Sequence, residues 1–203
     1  VIVSVGTLLL AFVMDGGRSL FVGFYYMLHS TLVTGALFLI ADLIGRQRGI
    51  AMDEMVRARP VNQATLLSGF FFAFAIAAIG LPPLSGFIGK ALLLQSANRL
   101  AEQVWVWPAL LISSLMALVA FSRAGSTFFW HVSPKDASGG RKARLTQMVS
   151  LSILLSATVL MTVFADSILA YSQGAARDIR KRPIITQQQS QIDRSPIHEE
   201  NES

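Results

Sequence analysis

Six apolar stretches, separated by polar or Gly/Pro-rich ones, run along the chain as far as Tyr171. Val1–Met14 is short, and Asp15-Gly16-Gly17-Arg18 reads as a turn after it. Leu20–Ile44 is about 25 residues long, enough for a tilted helix to cross a bilayer that needs roughly 20. A polar loop, Gly45–Asn62, carries Arg46, Arg48, Asp53, Glu54, Arg57, Arg59 and Pro60. Gln63–Leu81 is the third span, rich in Phe, Ala and Gly, and small residues let helices approach closely. Leu84–Ala97 is a fourth, shorter segment, followed by polar Asn98–Gln103. Val104–Trp130 is the fifth span, with Trp105, Trp107 and Trp130 placed near its ends as interfacial anchors. After a loop at His131–Arg144, the sixth span is Leu145–Tyr171.

The run from Gly80 to Lys90, Gly-Leu-Pro-Pro-Leu-Ser-Gly-Phe-Ile-Gly-Lys, interrupts this apolar background. A chain crossing lipid must satisfy its backbone donors and acceptors internally, so helix breakers survive there only under protein or water cover. A lysine at that depth costs about 2.5–3.5 kcal/mol on insertion scales. Breakers together with a charge point to a site.

Composition agrees with a polytopic all-α membrane protein: of 203 residues, 53% are hydrophobic and 14% charged, a balance too apolar for an ordinary soluble domain. The absence of cysteine excludes disulfides, thiolate metal sites and cysteine nucleophiles. The net charge of +5 does not point to nucleic acid, because the basic residues flank apolar spans. The chain opens on Val1-Ile2-Val3-Ser4 with no basic leading region, and is expected to be a fragment beginning inside a hydrophobic helix. Residues 1–172 therefore read as a membrane region, and 173–203, Gln-rich and acidic at its end, as a polar, disordered tail. Basic residues at 45–62, at 131–144 and after 176 fall on both sides of the spans, so charge bias assigns no orientation.

Lys90, among Ile88, Ala91, Leu92 and Leu93, is the first candidate. Desolvation there destabilises the ammonium and eases loss of its proton. The loosened backbone at Pro82–Gly89 can admit water and offer carbonyls. The alternative is a lysine that snorkels to the interface beside a simple Pro-Pro loop. His29, near the centre of its span, suits either a proton relay or a neutral histidine bonded to a neighbouring helix. Ser30, Thr31 and Thr34 are candidates to order water beside it. Asp42 and Asp166 read as interfacial. Arg123, about two turns inside the end of the fifth span, suits a carboxylate partner or snorkelling. No metal set, no phosphate loop and no hydrolytic acid pair is present, and no cofactor is expected.

Three stretches together resemble one family. The Gly80–Lys90 run, with Gly80, Pro82, Pro83, Ser85, Gly86 and Gly89, resembles the broken-helix motif of the antiporter-like subunits. That family includes the proton-pumping membrane-arm subunits of respiratory complex I and the large subunits of Mrp-type cation/proton antiporters. Tyr25-Tyr-Met-Leu-His29-Ser-Thr-Leu-Val-Thr-Gly-Ala-Leu-Phe-Leu39 resembles its histidine-bearing helix, and Arg123-Ala-Gly-Ser-Thr-Phe-Phe-Trp130 the end of the helix after the break. The wording through Asp42, and Arg123-Ala-Gly-Ser, are most similar to the D-type branch of the Mrp large subunits. Complex I relatives often place a lysine four residues after the histidine, where this chain has Val33.

The resemblance implies about fourteen helices in the whole subunit, with two inverted repeats that each contain a broken helix. This chain would be the second repeat and the last helix. It implies a proton-translocating subunit of a multisubunit sodium or potassium/proton antiporter in a bacterial inner membrane. Its partners would be other subunits and lipid, its cargo protons and Na+ or K+. Lys90 would be the switchable proton carrier and His29 a relay towards it. A complex I membrane-arm subunit and a non-transporting scaffold remain the rival readings.

Overall fold

The computed structural model describes residues 1–14, 17–48, 61, 63–97, 99–130 and 143–171. Within them the regular elements are helices: α1 (Ile2–Val13), α2 (Gly17–Arg48), α3 (Ala64–Ile79), α4 (Ser85–Ser96), α5 (Leu100–Phe129) and α6 (Leu145–Val163). Among the described residues, three stretches are long and apolar enough to cross a membrane: 19–48, 100–129 and 145–163. Helical backbone suits lipid because each amide is bonded within its own segment. The 30 residues of α5 rise about 45 Å, more than the roughly 30 Å hydrocarbon layer. The other apolar helices are shorter, α1 at 12 residues and α3 at 16.

α2 is the hub, packing against α1, α3, α4 and α6. It is apolar on all sides, as a central helix must be, and 39% of its apolar window is buried against 17% for α5 and for α6. One core joins α2, α3, α5 and α6 through Ile40, Leu67, Phe71, Phe74, Ala124 and Leu151. Phe71 is its aromatic centre, with Phe121, Phe128 and Phe129 edge-on at 5.8–6.4 Å between ring centroids. A second core, with Ala11, Val22, Leu93, Val106 and Leu110, joins α1, α2, α4 and α5. Tyr25 donates from α2 to the Met161 carbonyl of α6 at 3.4 Å. Trp105, Trp107 and Trp130 are exposed near the ends of α5, where anchors belong.

Four boundaries differ from the sequence reading. α2 does not stop at Ile44 but continues to Arg48, so the first part of the expected loop is helical. An Asp42–Arg46 pair at 2.8 Å supports this last turn, and the Arg48 guanidinium lies 5.0 Å from the Phe128 ring centroid. Gly17 and Arg18, expected in a turn, already belong to α2. The polar segment before the fifth span contains the start of α5: Glu102 Oε2 accepts from Arg99 N–H at 3.5 Å in the first turn. The sixth span is interrupted at Phe164 (φ −95°, ψ 22°), and helical backbone resumes over 165–171. The rest of the 45–62 loop except 61, most of the 131–144 loop, and the expected tail lie outside the described residues.

Candidate functional site

α3 ends where Gly80 turns left-handed, at φ 82° and ψ 44°. Its N–H bonds back to the Ala77 and Ile76 carbonyls at 3.2 and 3.1 Å, and the Leu81 N–H reaches Ile76 O at 3.1 Å. This is a Schellman ending, which glycine adopts without the penalty a Cβ would bring. The peptide bond between Pro82 and Pro83 is cis. Leu81, Pro82 and Pro83 are exposed, and most of the break's own polar backbone is accounted for within it. The two prolines carry no N–H, and the Leu84 N–H donates to Leu81 O at 3.3 Å. The chain thus breaks between α3 and α4 with the N–H groups of Gly80, Leu81 and Leu84 bonded locally.

The Ile79 carbonyl, beyond the reach of that turn, has a charged partner. Lys90 sits five residues into α4 and folds back, so that Nζ donates to Ile79 O at 2.7 Å and to Ser114 Oγ of α5 at 2.9 Å. The side chain does not snorkel: Lys90 is 5% exposed. A cation is favourable at the negative end of a helix, by about 0.3–1 kcal/mol and up to about 2 in partly buried settings. No carboxylate among the described residues lies within ion-pairing distance of Lys90. A buried ammonium held only by neutral acceptors is less firmly trapped in its charged form than one paired with a carboxylate.

His29 of α2 bonds the α4 end of the break. Its Nδ1 lies 2.8 Å from the Oγ of Ser85, the first residue of α4, and the donor of that bond follows the ring tautomer. Both side chains are buried, and the Tyr26 ring lies 5.5 Å away between centroids. Glycines make this closeness possible. A methyl group at Gly86 would lie 2.1 Å from Ala77 O and 2.9 Å from His29 Nε2, and one at Gly89 would lie 2.8 Å from the Tyr26 ring. The two titratable side chains thus hold the two ends of the break. His29 holds the first residue of α4, and Lys90 of α4 holds the last residue of α3.

The other candidates are not brought to this point. Ser30, Thr31 and Thr34 line a separate cavity of about 380 Å³ with Val1 and with Ser4 and Val5 of α1. Thr31 Oγ1 is already committed to Met27 O at 2.8 Å. Val33 is buried beside an apolar cavity of about 510 Å³ that Ala78, Ala117 and Phe121 also line. Asp42 is paired with Arg46 near an exposed helix end, and Arg123 and Asp166 are exposed. Ser114 escaped the sequence reading, although a Ser113-Ser114 pair inside an apolar span was a usable signal. Among the described residues no group of His, Asp or Glu side chains is arranged to hold a metal ion.

A helical bundle with three membrane-length helices and a polar, titratable break in its centre defines a polytopic membrane protein. Residues 2–118 match the family described as NADH:quinone oxidoreductase/Mrp antiporter, transmembrane, and the chain belongs to that family. It is 30% identical to the D subunit of a probable K(+)/H(+) antiporter of Rhizobium meliloti (strain 1021), over 88% of this chain and 38% of that one. It is 26% identical to the D subunit of the Na(+)/H(+) antiporter of Bacillus subtilis (strain 168), over 88% of this chain and 36% of the relative. The N subunit of the NADH-quinone oxidoreductase of Heliobacterium modesticaldum is also 26% identical, over 77% and 32%. The chain thus spans a little over a third of the length of these two antiporter relatives. The fold is that of a chain in the Mrp complex from Dietzia sp. DQ12-45-1b, with TM-score 0.66 at 21% identity, over 85% of this chain and 40% of the other.

Proposed function

We propose that this chain is part of a proton-translocating subunit of a bacterial multisubunit sodium or potassium/proton antiporter, set among other subunits in the inner membrane. Residues 1–172 form its membrane region and 173–203 a polar tail. The observation that carries this reading is the state of Lys90: buried, at a helix break, and held by a carbonyl and a hydroxyl with no countercharge among the described residues. Ionisable side chains inside membranes mark ion and proton routes by default. Lys90 is the carrier that loads and releases a proton, and His29 relays towards it. Their hydrogen bonds do not meet, since His29 binds Ser85 and the Ala77 backbone while Lys90 binds Ile79 and Ser114, so transfer between them runs through water.

The test is Lys90→Ala in the intact complex, with antiport read as cation-driven collapse of a pH gradient in everted vesicles. Antiport falls to background while the complex assembles at its parental level. Unchanged antiport in assembled Lys90→Ala and His29→Ala complexes would instead favour a scaffold role. Membership of a complex I membrane arm is the second reading, supported by the likeness to the oxidoreductase N subunit and opposed by Val33. NADH-oxidising partners in the purified complex would establish it.

A further inference from the structure

The two adjacent serines of α5 behave differently. Ser113 Oγ donates to Leu110 O of its own helix at 3.1 Å. Thr31, Thr127, Ser152 and Thr158 turn back on their own helices in the same way. A hydroxyl satisfied like this adds nothing across the bundle. Ser114 instead accepts from Lys90 at 2.9 Å and is half-buried.

The two partners of Lys90 are chemically unequal. A carbonyl only accepts, so Ile79 O serves the N–H groups of either protonation state. The neutral amine also exposes a lone pair, which a carbonyl cannot satisfy. A serine hydroxyl accepts from the ammonium and, with its hydrogen rotated, donates to the amine. No other hydrogen-bond partner of Lys90 exists among the described residues. Ser114 has no second partner there, so its hydrogen is free to turn. Unsatisfied polar groups are costly in a buried site, and the partner that fits both states lowers the cost of passing between them.

We propose that Ser114 is the positioning residue that lets Lys90 alternate between its charged and uncharged forms, accepting from the first and donating to the second. The inference rests on the carrier role proposed for Lys90. The proton leaves Lys90 for a water molecule, while Ser114 keeps its own O–H bond throughout and only turns it.

The experiment uses the intact complex in everted vesicles, with Ser114→Ala, Ser114→Val, Ser114→Thr, Ser113→Ala and Lys90→Ala compared at equal assembly. Threonine and valine have nearly the same shape, and only threonine keeps the hydroxyl. Ser114→Ala and Ser114→Val lower the maximal antiport rate about tenfold with an unchanged half-saturating cation concentration. Ser114→Thr regains most of the rate, and Ser113→Ala equals the parent. Equal rates for the threonine and valine variants, or a loss in Ser113→Ala as large as in Ser114→Ala, would overturn the assignment. Should Ser114→Val fail to assemble, Ser114→Ala, which adds no volume, decides against Ser114→Thr. Normal transport by Ser114→Ala beside an inactive Lys90→Ala removes the Ser114 role alone. Normal transport by Lys90→Ala removes the carrier reading and this inference with it.

Discussion

Two interruptions of the helical backbone, at Gly80 and at Phe164, are built differently. At Phe164 the chain stops being helical for one residue, and the repair is local. The Phe164 N–H donates to Leu160 O at 2.8 Å, the Ile168 N–H to Phe164 O at 3.0 Å, and Phe164 is 55% exposed. Those backbone bonds involve no titratable side chain. At Gly80 the N–H groups of Gly80, Leu81 and Leu84 are likewise bonded locally, but the last carbonyl of α3 and the first hydroxyl of α4 are bonded by side chains that titrate. The two breaks therefore differ in what holds their ends. What distinguishes the Gly80 break is that its free ends are held by a lysine and a histidine on other elements.

That contrast requires the Gly80 break to tolerate almost nothing and the Phe164 break almost anything. The largest effect is expected for Gly86→Ala. A Cβ there would sit 2.1 Å from the Ala77 carbonyl oxygen, a backbone atom that cannot swing away. α3 and α4 must part, and His29 loses its fit to Ser85. We expect a destabilisation of about 3 kcal/mol or more, read as a sharp drop in the yield of intact complex and in its thermal midpoint in detergent. Near-parental assembly would mean that the break is looser than its geometry. The intermediate effect is Gly80→Ala. The left-handed backbone costs a residue with a Cβ about 1–2 kcal/mol. The new methyl would meet Lys90 Cδ at 2.9 Å, a contact the flexible lysine relieves only by moving. The complex should assemble at reduced thermal stability, with antiport reduced more than assembly.

How much of this was legible depends on whether the signal was local. Lys90 and the break stand out because a charge and helix breakers in apolar sequence conflict with their surroundings. His29 stands out for the same reason. The neighbours Ser30, Thr31 and Thr34 line another cavity, because adjacency along a helix is not adjacency in space: residues one, two or five apart face different directions. Arg46 and Arg48 looked like loop residues, yet one pairs with Asp42 a turn earlier and the other lies on Phe128 of a distant helix. The second of these contacts has no trace in the local pattern. The interruption at Phe164 has none either, since neither glycine nor proline marks it. Ser114 was hidden for a related reason: nothing along α5 separates the serine that bonds its own helix from the one that reaches Lys90.

The smallest effect tests the other side of the contrast. Phe164→Ala removes an exposed ring from the interruption in the last span. In water the loss of apolar area would count, but lipid chains cover the vacated surface as well as the ring did, so little driving force is lost. The backbone bonds that repair this interruption involve no side-chain atom of Phe164 and persist in the variant. A change within about 0.5 kcal/mol is expected, with antiport at the parental rate. The comparison would fail if Phe164→Ala lowered transport while leaving assembly intact. That outcome would place the second interruption on the transport route, and holding by titratable side chains would no longer tell a working break from a structural one.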